Sequence, residues 1–148
     1  MSKRKIDDTS DENDTVFVYM GKGQSVPKDV VSVRFHPSVL EVNRGAFISC
    51  QRLKKVVFNE GLQMIGSAAF DWCTSLERIT IPSTVIEIGS GAFFRCISLK
   101  EVVFDEGLKK IEGSAFERCE SLLFVRLPST LIYLCDYVFD GCSSLGEV

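Results

Sequence analysis

From Val30 onward the apolar positions of this chain recur in one fixed order. Phe47, Phe70, Phe93, Phe116 and Phe139 stand 23 residues apart, each followed after three residues by a Cys and after three more by a Leu. Between them every unit reads Leu-x-x-Val/Ile-x-Phe/Ile/Leu, a turn, and an aliphatic pair. The Val-x-Phe alternation has the period of a short strand with one buried face. Apolar residues three apart in the Phe-x-x-Cys-x-x-Leu segment predict one to two turns of α- or 3₁₀-helix. Self-similarity at such a period means stacked units, because one unit cannot bury its apolar side alone. The expected fold is an α/β repeat solenoid, a right-handed coil with a parallel sheet on its concave side and short helical or 3₁₀ turns on its convex side.

The turn after the strand alternates between two forms. Asn59-Glu60-Gly61 and Asp105-Glu106-Gly107 are one; Pro82-Ser83-Thr84 and Pro128-Ser129-Thr130 are the other, with His36-Pro37-Ser38 a variant. Glycine supplies positive φ in the first, and proline ends the strand in the second. The larger period is thus 46 residues.

Three regions are expected. Residues 1–14 are charged and nearly devoid of apolar side chains, the signature of a disordered tail. Lys3-Arg4-Lys5 is a weak import-signal fragment, Thr9 to Glu12 a phosphorylation-like site and Asn13-Asp14-Thr15 a formal sequon. Residues 15–29 read as an N-terminal cap strand followed by the Gly21-Lys22-Gly23 turn, which lacks the phosphate-loop pattern. Residues 30–148 form about five repeats with a sixth cut short at Val148, which predicts self-association through an uncapped C-terminal end.

Composition changes this picture little. A net charge of −3 gives a nucleic-acid partner no support. No apolar run approaches the roughly 18 residues of a membrane span, and no signal peptide is visible, so an intracellular location, cytoplasmic or nuclear, is expected. Six cysteines invite a disulfide framework. Five of them share one repeat position, however, which predicts a ladder of buried, reduced thiols. Cys135 falls outside it, in a connecting segment.

The recurring A-F-x-x-C-x-S-L-x-x-V/I-x-F/I-P, with x-x-G-L-x-x-I between, closely resembles the BspA-like leucine-rich repeat family over residues 30–148. The resemblance implies a leucine-rich repeat solenoid that mediates protein–protein contacts. Exported members of the family are similar to adhesins. The resemblance carries no catalytic residue onto this chain.

The residues offer little chemistry. His36 is the one histidine, the ladder cysteines lack zinc-site spacing, and Glu60 and Glu106 are two repeats apart and read as exposed turn charges. No cofactor or metal is expected, and no enzymatic activity. The informative residues break the period on the outward face of the strands: Arg34, Val57, Thr80, Val103 and Arg126, with Phe124 in a flanking column. Exposed valines and a phenylalanine mixed with arginine have the composition of a protein-binding patch. The first reading is a protein-interaction module with a protein partner; the second is a spacer segment of a larger, adhesin-like protein.

Overall fold

The computed structural model describes residues 15–146. The tail reading for residues 1–14 and the last two residues of the cut-short sixth unit lie outside them. Ten short strands follow in order: β1 (Val16–Tyr19), β2 (Ser32–Phe35), β3 (Glu41–Val42), β4 (Lys55–Val57), β5 (Met64–Ile65), β6 (Arg78–Ile81), β7 (Glu87–Ile88), β8 (Glu101–Phe104), β9 (Lys110–Ile111) and β10 (Tyr133–Leu134). All pairings are parallel, and between units partners are 23 residues apart, as in Val33↔Val56, Ile65↔Ile88 and Ile79↔Val102. The chain is therefore a solenoid whose coils stack in register. Each coil presents a strand face, carrying β1, β2, β4, β6 and β8, and a turn face, carrying the Phe-x-x-Cys segment. The two-residue strands β3, β5, β7, β9 and β10 form a continuous second sheet between them. Among the described residues no helix is long and apolar enough to cross a membrane.

The core is the stack of repeat equivalents. Phe47, Phe70, Phe93 and Phe116 are fully buried, with neighbouring rings 5.0–5.2 Å apart and within 4° of parallel. Phe139 continues the stack at 5.8 Å but is only partly buried. The ladder thiols are free and buried. Cys73, Cys96, Cys119 and Cys142 each donate S–H to the carbonyl of the Phe one coil back, at 3.1–3.2 Å. That carbonyl already accepts the N–H of its own coil's Cys. A small apolar side chain with one donor suits the position, since it fills the core and adds a tie between coils.

The turn face departs from the expected helix, and the reason is visible in its hydrogen bonds. In the first coil the N–H groups of Ala46, Ile48 and Cys50 close i→i−3 turns onto Asn43, Gly45 and Phe47. The N–H groups of Gly45, Phe47 and Ser49 instead donate to Ser67, Ala69 and Asp71 of the next coil, at 2.7–2.9 Å. Alternation of this kind needs two left-handed residues per coil. Gly45, Ala68, Gly91, Ser114 and Tyr137 occupy one column, with φ between 55° and 63°; Ser49, Trp72, Arg95, Arg118 and Gly141 occupy the other. Left-handed backbone costs a non-glycine residue roughly 1–2 kcal/mol. Each inter-coil bond returns about 1 kcal/mol and comes with a buried ring. A helix would spend all these donors within its own coil and leave the stack unstitched.

At the N-terminal end, β1 lies on β2, and Tyr19 is buried against Phe35 and Phe47 at 4.9 and 5.2 Å. Gln24 folds back over the far edge of β1: its Oε1 accepts the Met20 N–H at 2.6 Å and its Nε2 donates to the Val18 carbonyl at 3.2 Å. One side-chain amide thereby occupies an edge that would otherwise invite another strand. At the other end, residues 122–127 do not form the strand that the period predicts, and Leu134, expected inside, is 46% exposed.

The strand face is interrupted in two places, and a proline stands at each. β1, β2 and β4 form one sheet and β6 and β8 another; β4 and β6 touch without pairing. The Asp105 N–H closes the β6–β8 ladder onto the Ile81 carbonyl at 3.0 Å, and the His36 N–H closes β1–β2 onto Tyr19 at 3.0 Å. The equivalent positions one coil to either side of Asp105 are Pro82 and Pro128. Proline has no N–H to give, so the corresponding carbonyls, Phe58 and Phe104, receive no such donor. The sheet separates at those two places.

Three outcomes are expected. Phe93→Ala should cost about 3–5 kcal/mol in denaturant unfolding, and the partly buried Phe139 clearly less. Burial pushes the Cys96 thiol up to about 12 and that of Cys73 further. Both thiols hold their protons in the folded state at pH values where the unfolded chain has lost them. Stability is therefore fully present below the ordinary thiol value of about 9 and falls as pH rises from 9 towards 12. Urea midpoints measured across that range should show the decline, and Cys96→Ala should make it shallower. Finally, Pro82→Ala should restore a donor opposite Phe58 and join β4 to β6. The amide at position 82 should then be protected in hydrogen exchange; exchange as fast as that of the exposed turn amides would mean that something else holds the strands apart.

Candidate functional site

The strand separations are where the expected binding residues gather. Arg34, Val57, Thr80, Val103, Phe124 and Arg126 are all exposed, because their backbone alternates with the buried Val33, Ile79, Val102 and Val125. Register places Val57 beside Arg34 and Val103 beside Thr80. The break between β4 and β6 is a groove of about 240 Å³, walled by Val57 and Phe58 on one side and Thr80 and Pro82 on the other, with Glu60 and Asp105 at its end. The break after β8 is a groove of about 190 Å³ between Val103 and Phe104 on one side and Phe124 and Arg126 on the other, with Glu101 beside it. Five of the six residues thus line two equivalent grooves. Arg34 lines neither and sits on the paired part of the sheet.

Charge differs between the two. Glu60 and Asp105 enter no ion pair among the described residues. At the second groove Glu101 is held by Arg78, Nε to Oε1 3.5 Å, across directly paired strands. Glu60 is therefore more than an exposed turn charge, since it borders a groove. Glu106 has a different task. It accepts the Ser129 N–H at 3.1 Å and the Ser129 hydroxyl at 2.6 Å, which ties its turn to the next one and holds its carboxyl below the usual value.

Other clusters escape any reading of spacing within a motif. Arg95 stacks its guanidinium on Trp72 at 4.9 Å and on Phe94 at 5.3 Å, on the turn face. The neighbouring carboxyls of Glu87 and Glu112 interact beside the second sheet, which raises the first and lowers the second, and Lys110 pairs with Glu112 at 3.1 Å. Stacking of adjacent coils brings Arg95 to Trp72 and Glu87 to Glu112; the signal in the sequence is the period of 23 with an offset of zero or two. His36 is engaged locally. The Ser38 N–H donates to its Nδ1 at 3.1 Å, and the Ser38 hydroxyl lies 2.7 Å from the same atom. Among the described residues no group of three or more His, Cys, Asp or Glu side chains is placed to hold a metal. Cys135 is partly buried.

The sequence profile of the BspA type leucine-rich repeat region matches residues 27–146 in six copies, where the period of 23 gives five and part of a sixth. No curated protein sequence matches the chain significantly. Among solved structures, a leucine-rich repeat protein of T. pallidum is 33% identical with a TM-score of 0.73, over 90% of this chain and 57% of its own. The pneumococcal vaccine antigen PcpA is 25% identical with a TM-score of 0.70, over 89% of this chain and 33% of its own. A leucine-rich cell surface protein of Faecalibacterium prausnitzii, 24% identical with a TM-score of 0.62 over 79% of this chain and 38% of its own, shares the fold. The chain spans little more than half the length of the first of these and less of the other two. The 23-residue coil, its stacked Phe and Cys positions and the matching profile place the chain in the BspA type leucine-rich repeat family.

Proposed function

We propose that the strand face is a protein-binding surface and that the chain acts as a non-enzymatic interaction module. The observation that carries this reading is the pair of equivalent grooves, each walled by residues that packing leaves undetermined. Val57, Val103 and Phe124 are 47%, 40% and 54% exposed in places where polar side chains would fold equally well. Apolar walls with a few charged groups at the rim are what protein recognition uses, since desolvating the wall supplies affinity and the charges supply orientation. The rigid stack beneath holds both grooves at a fixed separation, so little ordering cost accompanies binding.

The test is a peptide-display selection on the purified protein, followed by binding assays on variants. Glutamate at Val57, Val103 and Phe124 together should weaken the selected binders by about tenfold or more. Stability should stay within about 0.5 kcal/mol per site, as for exposed positions generally. The control set belongs on the turn face, at Glu117, Arg118 and Glu120, because Glu60 lines a groove. Loss of binding in the control set with retention in the groove set would move the site to the turn face.

A further inference from the structure

We propose that the two grooves form one receptor for a proline-rich segment in the polyproline II conformation, with an apolar residue at every third position and a Lys or Arg at the end lying over the first groove. The proposal rests on reading the strand face as the binding surface. The grooves are two coils apart. Rings on neighbouring coils are 5.0–5.2 Å apart, close to the spacing of paired strands, so the grooves repeat at about 10 Å. A polyproline II helix rises roughly 9.3 Å per three-residue turn. Its residues i and i+3 therefore point into successive grooves, while i+1 and i+2 point away.

The other regular conformations fit less well. In an extended strand, i and i+2 are only about 7 Å apart, and i+3 faces the opposite side. In an α-helix, i and i+7 span about 10.5 Å, but i+3 and i+4 project from the same face. Those side chains would meet the ridge between the grooves, where Thr80 and Val103 stand paired and exposed on β6 and β8, and would hold the helix away. Charge fixes the polarity. Glu60 and Asp105 at the first groove enter no ion pair among the described residues, whereas Glu101 at the second is held by Arg78 and is accompanied by Arg126. A cation on the segment is matched at the first groove and repelled at the second.

The experiment is fluorescence anisotropy with synthetic twelve-residue peptides. One pair is proline-rich with Leu at every third position and Lys at one end or the other. Controls are a scrambled peptide of the same composition, a Lys→Glu peptide, and a helical peptide with Leu at i and i+7. One of the periodic pair should bind at least about tenfold more tightly than the scramble. Val57→Glu and Val103→Glu should each remove that advantage, Val57→Ser should reduce it without adding charge, and Lys→Glu should weaken binding about fivefold. Periodic peptides no better than the scramble, or indifferent to the groove substitutions, overturn the proposal. If the helical peptide alone binds and depends on Val57 and Val103, the strand-face reading survives and the polyproline assignment falls. If no peptide responds to the groove substitutions while turn-face substitutions abolish binding, both fall.

Discussion

Parallel stacking in register sets every residue against its own repeat equivalent, and the rest of the molecule follows from that constraint. A phenylalanine at the central position meets phenylalanines above and below. A thiol meets the carbonyl it can tie to. Like charges in one column would repel across about 5 Å, and the coils paired through β6 and β8 avoid this by alternating sign, Arg78 with Glu101 and Glu77 with Lys100. Only residues that can neighbour themselves can be repeated. Those that vary along a column are the ones on which stacking places no demand.

Much of the architecture was legible because the constraint writes itself into the sequence as a period. Phe47 to Phe116 and the buried cysteines are where their spacing puts them. The helical turn was misread because a spacing of three suits both a helix and a run of i→i−3 turns; local pattern cannot distinguish them. The distinguishing mark was present at Gly45, Gly91 and Gly141, whose positive φ recurs at the two left-handed columns, but it is diluted by Trp72, Arg95 and Tyr137, which accept the same backbone without advertising it. The exposure of Val57, Val103 and Phe124 was readable from period-two alternation. The grooves were not. Pro82 and Pro128 read as strand ends in their own coils, yet the donors they lack would have faced the carbonyls of Phe58 and Phe104 one coil earlier, and no window within a single coil contains both partners.

Proline thus stands at both breaks of the strand face, where it has no donor to give. A closed parallel sheet of five strands would present a corrugated but continuous surface. Proline withholds a donor at both openings, 46 residues apart, and the first opening also lacks the bonds onto the Lys54 carbonyl that paired coils make at the equivalent position. The second sheet and the turn-face bonds run unbroken past both openings, so the interruption weakens one of three seams and leaves the stack rigid.

The thiol ladder has a chemical consequence of its own. Each inner sulfur is protected only while the coils above and below it remain closed, since burial keeps it protonated and out of reach. When a coil opens in an oxidising medium, the released thiolate can advance to sulfenic and then to sulfinic acid, and the later steps are not undone by simple reduction. A sulfinate cannot return to a buried site built for an uncharged donor facing a phenylalanine carbonyl. Transient fraying of such an array would then be recorded as permanent loss of stacked length, one coil at a time, and its working lifetime outside a reducing compartment would depend on how rarely the coils part.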